Sequence, residues 1–438
     1  MAQPVEVPPD PTAAVQAAEA EVPAALVAQT LGQFVRAWIV RMRSGEIGVL
    51  PVVVGLVATM VVFEIISPNH VFLHADNLVN LFEQSAVYMV LAMAEGFALL
   101  LGEIDLSIGF VGACGAVIAV QLVQPVTTHW PWWAAILAGL AFCAAVGAIQ
   151  GTIITRLGIP SFIVTLAGYL IFNGVMLILL LLGPFSGYPN LGSSDFNVQV
   201  LFNLMAGNID PTISWIVMGV VIAGVGGLMW FSDARRRRSG LVAPPASLTL
   251  IKIGLIAAAG VVVVAICNVN RAVTGFQAGV PWVVPIVLAI LGAWTILLER
   301  TRYGRYVYAI GGNSEAARRA GINVPLVVTI AFALCSMTAG AGLMLYASYI
   351  GGMSNNVQGG QLVLFAVAAA VIGGTSLFGG RGKALHGVLG GLVIGGIYNG
   401  MYLQSLDVQR IFIVTGLVLL AAVTIDAVSR RGKATGRR

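Results

Sequence analysis

Long apolar runs separated by short polar segments dominate the sequence from about residue 47 to about residue 428. A helix needs about 20 predominantly apolar residues to cross a bilayer, so each run predicts one membrane span. Two boundaries leave the count open, because 86–124 is interrupted only by "GEIDLS" and 361–402 only by "GGRGKALHG". The pattern predicts an all-α, polytopic transmembrane helical bundle of about 10 to 12 spans, with broken or re-entrant helices at these two places. The twelve segments are 47–66, 86–101, 105–124, 133–152, 162–183, 213–231, 250–267, 281–298, 325–346, 361–378, 384–402 and 410–427.

Composition supports a membrane location for these runs. The chain has 438 residues, of which 58% are apolar, and its mean hydropathy is +0.93. A soluble domain cannot hide that much apolar surface, so the composition excludes a water-soluble protein. The four cysteines lie inside apolar runs and share no paired spacing, so we interpret them as small core residues rather than disulfide partners or metal ligands.

Basic residues predict the orientation of the spans. With the amino terminus placed in the cytoplasm and the loops numbered alternately, only Arg271 and Arg410 of the 23 Lys and Arg residues fall outside. Positive-inside sorting produces such a split, and a wrong span count would scramble it. We therefore expect both termini in the cytoplasm. The net charge of +5 then follows from topology and predicts the lipid bilayer, not nucleic acid, as a partner, with "ARRRR" (Ala234 to Arg238) as a cytoplasmic anchor.

The remaining segments divide the chain into three regions. The first residues, about 34 in number, are rich in Ala, Pro, Val and Glu, and they predict a disordered cytoplasmic tail over 1–46. The transmembrane domain follows over 47–428, and a basic cytoplasmic tail covers 429–438. The long outer loop over about 184–212 is polar and rich in turn-forming residues, which makes it a candidate docking surface.

A short polar helix is predicted between the eighth and ninth spans, in "YAIGGNSEAARRAGINV" (Tyr308 to Val324). Asn313 or Ser314 is placed to cap this helix, and Gly321 permits a left-handed exit from it. From the residues alone two interpretations stay open: a knob that enters a groove on another protein, or a solvated loop helix. Between the two ends lie an acidic residue, a small-residue face and a basic turn, formed by Glu315, Ala316, Ala317, Arg318, Arg319 and Ala320.

Carboxylates at membrane depth mark a second segment. Glu103 and Asp105 adjoin Ser107 in "GEIDLS", and Glu95 lies near the middle of its apolar run, with Arg156 as a candidate partner. Charged groups within the bilayer usually pair or line a pathway, and a broken helix exposes backbone donors for a hydroxyl-rich solute. These residues form a candidate translocation path. The alternative is that the carboxylates reach the cytoplasmic interface and that Asp105 caps the next span.

Three stretches stand out in their order along the chain: "GEIDLSIG" (Gly102 to Gly109), "YGRYVYAIGGNSEAARRAGINV" (Tyr303 to Val324) and "VIGGTSLFGGRGKALHGVLGG" (Val371 to Gly391). Taken in order, they resemble sugar permeases of ABC importers of the ribose, arabinose and xylose type. The sequence Glu-Ala-Ala, three residues, then Gly in a cytoplasmic loop is similar to the coupling motif of ABC importer permeases. The resemblance covers roughly residues 47–428, and the glutamate before "IDLS" is most like the xylose branch.

The resemblance implies an inner-membrane permease that forms the path for a monosaccharide, such as the pentose xylose. It implies a second permease copy, most simply an identical one, an ABC ATPase subunit on the cytoplasmic side and a periplasmic or extracellular sugar-binding protein. The predicted helix would sit in a cleft of the ATPase, capped at Asn313 and with Glu315 to Gly321 as contact residues. The chain itself would hold no catalytic residue, metal or cofactor, because ATP and Mg would be used by the partner ATPase.

Two other functions are weaker alternatives. An ion-coupled secondary transporter, with Glu95 or Asp105 carrying a proton, would not account for the Glu-Ala-Ala loop. An integral-membrane enzyme has no support from catalytic or metal-ligand spacing. "GGRGK" (Gly379 to Lys383) is not a phosphate-binding loop, because Leu377 takes the position of the first glycine and Ala384 replaces the magnesium-binding hydroxyl.

Overall fold

The computed structural model describes most of the predicted transmembrane domain, and the described residues are 32, 33, 36, 50–182, 189–239, 243–272, 275–407, 409–418, 420 and 424. The chain divides into two compact units. The hairpin unit comprises Met1–Ile47 and Pro211–Ala265, and the main unit comprises Gly48–Asp210 and Ile266–Arg438. The predicted carboxy-terminal tail and nearly all of the predicted amino-terminal tail lie outside the described residues.

The described part of the chain is almost entirely helical, which confirms the predicted fold class. Two strands of two residues each, β1 (Asn208–Ile209) and β2 (Val280–Pro281), pair antiparallel. A 3-10 turn covers Pro68–His70. The helices in the described residues are α1 (Leu50–Ile66), α2 (Ala75–Leu101), α3 (Ile108–Leu122), α4 (Trp132–Leu157), α5 (Ser161–Leu181), α6 (Phe196–Ala206), α7 (Pro211–Arg238), α8 (Ala246–Cys267), α9 (Val283–Arg300), α10 (Arg302–Gly312), α11 (Ser314–Arg319), α12 (Val324–Ile350), α13 (Gly359–Ile372), α14 (Ala384–Leu403) and α15 (Gln409–Val418).

Each of the twelve predicted apolar segments falls on a helix. Both predicted interruptions are present, at 102–107 between α2 and α3 and at 373–383 between α13 and α14. Helix α3 has 15 residues and α13 has 14, which makes each about 21–22 Å long, shorter than a hydrocarbon core of about 30 Å. Within the described residues, eight helices are long and apolar enough to cross a membrane: α2, α4, α5, α7, α8, α9, α12 and α14.

Helix α2 is the most buried of these candidate spans and defines two ends of the main unit. It ends at Leu101. This end lies beside α10, the helix before α11, since Gly311 of α10 lies against the carbonyl of Leu100. We call this the α11 end. The other end, where α2 begins at Ala75 and α12 ends at Ile350, is the opposite end.

Small residues let the helices of the main unit approach backbone to backbone. A Cβ atom on Gly387 of α14 would lie 2.7 Å from the backbone nitrogen of Met93, and one on Gly391 would lie 2.6 Å from that of Met89. Such close packing is how membrane helices associate without a hydrophobic driving force. The four-residue glycine repeat of α14 therefore packs against α2 of the same chain. All four cysteines are buried, as predicted.

The hairpin unit holds α7 and α8, and α7 ends in the basic segment predicted as an anchor. Arg237 donates through Nη1 to the carbonyl of Pro244 at 2.8 Å, and its guanidinium lies 5.4 Å from the ring centroid of Trp230. The hydroxyl of Thr249 donates to Asp233 at 2.8 Å. These bonds connect the last turns of α7 to the start of α8. The other arginines stand in the last turn of α7, where cations favour the helix dipole.

The segment predicted as a long polar outer loop, 184–212, contains helix α6 among its described residues, 189–212. Asp195 caps α6 by accepting from the amide of Asn197 at 2.9 Å. His129 lies 2.8 Å from the second oxygen of Asp195, and this hydrogen bond holds the pKa of Asp195 below its usual value. The α6 backbone is tied to α12 by Ser348, whose hydroxyl donates to the carbonyl of Phe202 at 2.6 Å.

Candidate functional site

Helix α11 lies where the polar helix is predicted, and both of its ends are capped. Asn313, rather than Ser314, is the N-cap, and its side-chain oxygen accepts from the amide of Ala316 at 2.9 Å. At the other end Gly321 has φ +82°, and its amide donates to the carbonyl of Arg318 at 3.0 Å. The amide of Ile322 donates to the carbonyl of Ala317 at 3.1 Å. These two bonds form a Schellman motif, so a helix of one and a half turns ends in a defined direction.

The surface of α11 is exposed on all sides except one. Ala317 is buried against the main unit, whereas the other residues of the predicted motif are exposed. Glu315 and Arg319 form an ion pair at 3.1 Å, with their side chains 58% and 79% exposed. Because an exposed pair of this kind contributes at most about 0.5 kcal/mol, both groups can exchange it for a partner at little cost.

Helix α10 joins α11 to the membrane helices. Its first turn is capped by Thr301, whose hydroxyl accepts from the amide of Gly304 at 3.2 Å. Val307 and Ile310 are buried on one side of the helix. Tyr308 donates from its hydroxyl to the carbonyl of Gly382 at 2.9 Å, which links α10 to the segment between α13 and α14. Helix α10 is therefore held by both packing and hydrogen bonds.

Glycines from three distant segments meet where α10 ends, and we call this group (Gly102, Gly311, Gly379 and Gly380) the glycine junction. The amide of Gly380 donates to the carbonyl of Leu100 at 2.8 Å. A Cβ atom on Gly311 would overlap that same carbonyl oxygen and would lie 2.6 Å from the amide nitrogen of Gly380. Gly379 has φ +81°, and a Cβ atom there would lie 2.8 Å from the carbonyl oxygen of Gly311. The end of α10 thus rests directly on backbone.

Three of the four residues predicted for the translocation path come together in a buried acid cluster near the α11 end. Asp105 accepts through Oδ1 from the amide of Ser107 at 2.9 Å and from its hydroxyl at 2.6 Å. The backbone amide of Asp105 donates to Glu95 at 3.2 Å. The Ser107 hydroxyl also lies 3.0 Å from the side-chain amide of Gln150. Each of these four side chains is at most 4% exposed.

The cluster differs from the predicted arrangement in three respects. Glu103 is half-buried and lies outside it. Arg156 is exposed near the end of α4 and is not the partner of Glu95, whose bonded neighbour is Asp105. Asp105 does bond the start of α3, as the capping alternative predicts, and its side chain is fully buried within the protein. The second oxygens of both acids have no hydrogen-bond partner among the described residues.

Two cluster members were missed in the sequence. Gln150 comes from α4, and the thiol of Cys335 on α12 lies beside Asp105. A single glutamine inside an apolar run is a weak signal, because its position relative to a distant helix break depends on packing. A thiol in a membrane helix carries no signal at all, since small apolar residues occupy such positions equally well.

The fold and these two features define a class of protein. In a bundle of membrane helices, a helix break beside buried polar side chains is typical of a transport component. Residues 77–423 match the family model described as the branched-chain amino acid transport system permease component. The chain belongs to this permease family.

Curated relatives match nearly the whole chain. The xylose transport system permease protein XylH of Escherichia coli (strain K12) is 32% identical over 393 residues, which cover 89% of this chain and 94% of the relative. XylH of Haemophilus influenzae is 33% identical over 386 residues, 86% and 95% of the two chains. The ribose import permease protein RbsC of Escherichia coli (strain K12) is 28% identical over 394 residues, 90% and 95%. No solved structure matches the chain. The predicted resemblance to sugar permeases, most like the xylose branch, is confirmed.

Proposed function

We propose that the chain is the inner-membrane subunit of an ATP-driven importer and forms the path for a monosaccharide, with a pentose such as xylose as the first candidate. Relatives named for xylose and ribose support the sugar class. Its partners would be an ABC ATPase, a sugar-binding protein outside and a second copy of the chain. ATP and Mg would act in the ATPase, and both termini would lie in the cytoplasm.

Helix α11 is the observation that carries this proposal. Its charged residues are exposed together with Ala316 and Ala320, and its two caps give it a fixed shape without a partner. Such a helix fits a cleft on a soluble protein, which explains polar residues between two apolar segments. Its base rests on the glycine junction, so a force on α11 is passed to the end of α2 and to the segment before α14.

The ion-coupled alternative would give the buried acid cluster a task but would leave α11 without one. The matched family and relatives are permease components of transport systems, which supports a transporter driven by partner subunits. We therefore retain only the ATP-driven class.

Two substitutions in α11 test the coupling role. Gly321→Pro removes the amide that bonds to Arg318 and forbids φ +82°, at a local cost of about 3 kcal/mol. Glu315→Arg reverses an exposed charge at the helix start. We expect both variants to reach the membrane, to lose sugar uptake, and to uncouple ATP hydrolysis from the loaded binding protein. The measurement is ATPase activity of the complex in lipid discs, with and without binding protein.

The double variant Glu315→Arg with Arg319→Glu is the matched control. It keeps an ion pair of the same spacing within α11, in reversed order. If Glu315 serves only the helix, the double variant will regain uptake, and the coupling role is then wrong. If Glu315 contacts the ATPase, uptake stays lost. Normal stimulation and normal uptake in both original variants would remove the main support for the proposed function.

A further inference from the structure

A chain of side-chain amides connects α2 to α14 near the opposite end of the main unit. Asn77 donates to Asn399 at 3.0 Å, Asn399 donates to Gln84 at 3.4 Å, and Gln84 donates to Asn80 at 3.2 Å. Asn77 and Asn399 are buried, whereas Gln84 is half-buried and Asn80 is exposed. The chain therefore leads from the interior of the helix bundle to its surface.

Tyrosines lie near the surface end of this hydrogen-bonded series of amides. Tyr398 of α14 lies 6.3 Å from buried Tyr88 and 6.4 Å from Phe365, measured between ring centroids. Tyr349 of α12 lies beside the side chain of Gln84. Tyr346 stands three residues earlier on the same side of α12. Tyr402 follows Tyr398 by four residues and so stands on the same side of α14. We call Gln84, Tyr346, Tyr349, Tyr398 and Tyr402 the tyrosine face.

The tyrosine face is at least partly exposed at the surface of the single chain. Tyr402 is 67% exposed and Tyr349 is 42% exposed, while Gln84, Tyr346 and Tyr398 are half-buried. A belt of tyrosines at the lipid interface would be the simpler explanation for Tyr349 and Tyr402, which lie in the last turns of their helices. It does not explain Tyr346 and Tyr398, which lie about one turn deeper, or the amides that stand beside them.

Lipid tails offer no hydrogen-bond partners, so tyrosine hydroxyls and amides at membrane depth favour contact with water or a polar solute. Tyrosine offers an apolar ring and a hydroxyl, and an amide offers both a donor and an acceptor. A sugar ring has the complementary surface, with C–H faces and hydroxyls around its edge. The buried acid cluster, by contrast, is closed to solute in this arrangement. The side chains of Glu95, Asp105, Ser107 and Gln150 are each at most 4% exposed.

We propose that the tyrosine face lines the sugar path at the end opposite α11 and binds the monosaccharide by ring stacking on the tyrosines and hydrogen bonds to Gln84. This inference rests on the proposed function. It assigns the first solute contacts to α2, α12 and α14. It also separates them from the helix break, which lies beyond an apolar stretch of α2 that includes Leu91 and Ala92.

Cysteine labelling tests whether the face is in water. The native cysteines are buried, so a single new thiol can be followed with a charged, water-soluble methanethiosulfonate. In the assembled transporter we expect Tyr398→Cys and Tyr402→Cys to be labelled, and D-xylose to slow the labelling. Leu170→Cys on α5, a position 65% exposed in mid-helix, is the lipid-facing control and should stay unlabelled. Unlabelled Tyr398→Cys, or labelling that is indifferent to D-xylose, D-ribose and D-allose, would overturn the proposal.

Transport by hydroxyl-deletion variants tests recognition. Tyr398→Phe keeps the ring and removes one hydrogen bond, so KM for D-xylose uptake should rise about tenfold while stimulation of ATP hydrolysis is retained. Tyr169→Phe, which removes a hydroxyl from α5 away from the face, should leave KM unchanged. If the unaltered complex imports no monosaccharide, the proposed function and this inference both fail. If it imports sugar and Tyr398→Phe has an unchanged KM, only the inference fails.

Discussion

Asp105 shows how much of the candidate site depends on single hydrogen bonds. One of its oxygens accepts from both the amide and the hydroxyl of Ser107, and its own amide donates to Glu95. All three residues are buried. A buried donor that loses its acceptor costs about 1–3 kcal/mol, so Asp105 orders the start of α3 whatever its role in transport.

Substitutions at Asp105 separate these two roles. Asp105→Ala leaves the amide and hydroxyl of Ser107 without their acceptor, and we expect the free energy of unfolding to fall by about 1–3 kcal/mol. Asp105→Asn keeps an acceptor oxygen in place and should assemble normally, yet lose uptake if the acid lies on or beside the path. The measurements are thermal unfolding in lipid discs and uptake into vesicles. Normal uptake and normal assembly of Asp105→Asn would leave the structural role as the only one.

At this scale the sequence predicted local chemistry better than contacts. The left-handed exit at Gly321 and a cap at Asn313 or Ser314 follow from neighbours along the chain, and the structure selects Asn313. The pairing of Glu95 with Asp105 rather than Arg156 depends on how α2 ends and α3 begins. Such information is not contained in residue type or spacing.

Among the elements, α10 is the one whose position links the two predicted sites. It supports α11, and its last turn touches the end of α2 and the segment between α13 and α14 through the glycine junction. Backbone contacts leave no flexible side chain between the segments to absorb a displacement. A movement of α10 must therefore shift its neighbours or break the contact.

Adjacent glycines of α10 give a matched test. A methyl group on Gly311 would overlap the carbonyl of Leu100, whereas a Cβ atom on Gly312 meets nothing within 4 Å. We expect Gly311→Ala to lower the free energy of unfolding by about 1–3 kcal/mol or to displace α10, with loss of coupled ATP hydrolysis. Gly312→Ala should be neutral in both assays. Equal behaviour of the two variants in thermal unfolding and coupled hydrolysis would contradict the tight junction.

Helices were predicted correctly where a long run of residues shares the same apolar or polar character. Runs of about 20 apolar residues predicted twelve segments that all overlap helices in the described residues, and polar interruptions marked both helix breaks. Helix α6 was missed because it has only 11 residues, fewer than the run of about 20 apolar residues that was sought, and because it lies in a segment that is polar as a whole. Its usable signal was local, namely Asp195 as a cap before Phe196 and Val198.

For the whole molecule, the orientation in the membrane follows from the basic residues and stays a prediction. Single cysteines at Ser239 and Ser314 should resist an impermeant thiol reagent added to intact cells, because both loops are predicted to be cytoplasmic. A cysteine at exposed Thr128, in a loop predicted to be outside, should react readily. Labelling after the cells are opened shows that each thiol is accessible in principle. Reversed labelling would invert the topology, and labelling of all three in intact cells would refute the span count.

The glycine junction also limits how permeases of this kind can be recombined. The loop that carries α11 reads as a self-contained module in the sequence, bounded by two apolar helices. The backbone contacts that support it, however, join Gly311 to the end of α2 and to the turn at Gly379 and Gly380, and these segments are far apart along the chain. Hydrogen is the one substituent that fits at Gly311, so the surfaces on either side of it can diverge only in concert. To move the loop into another permease, all three segments of the glycine junction must therefore be moved with it. The glycine junction, rather than α11 alone, is the part that has to be kept together.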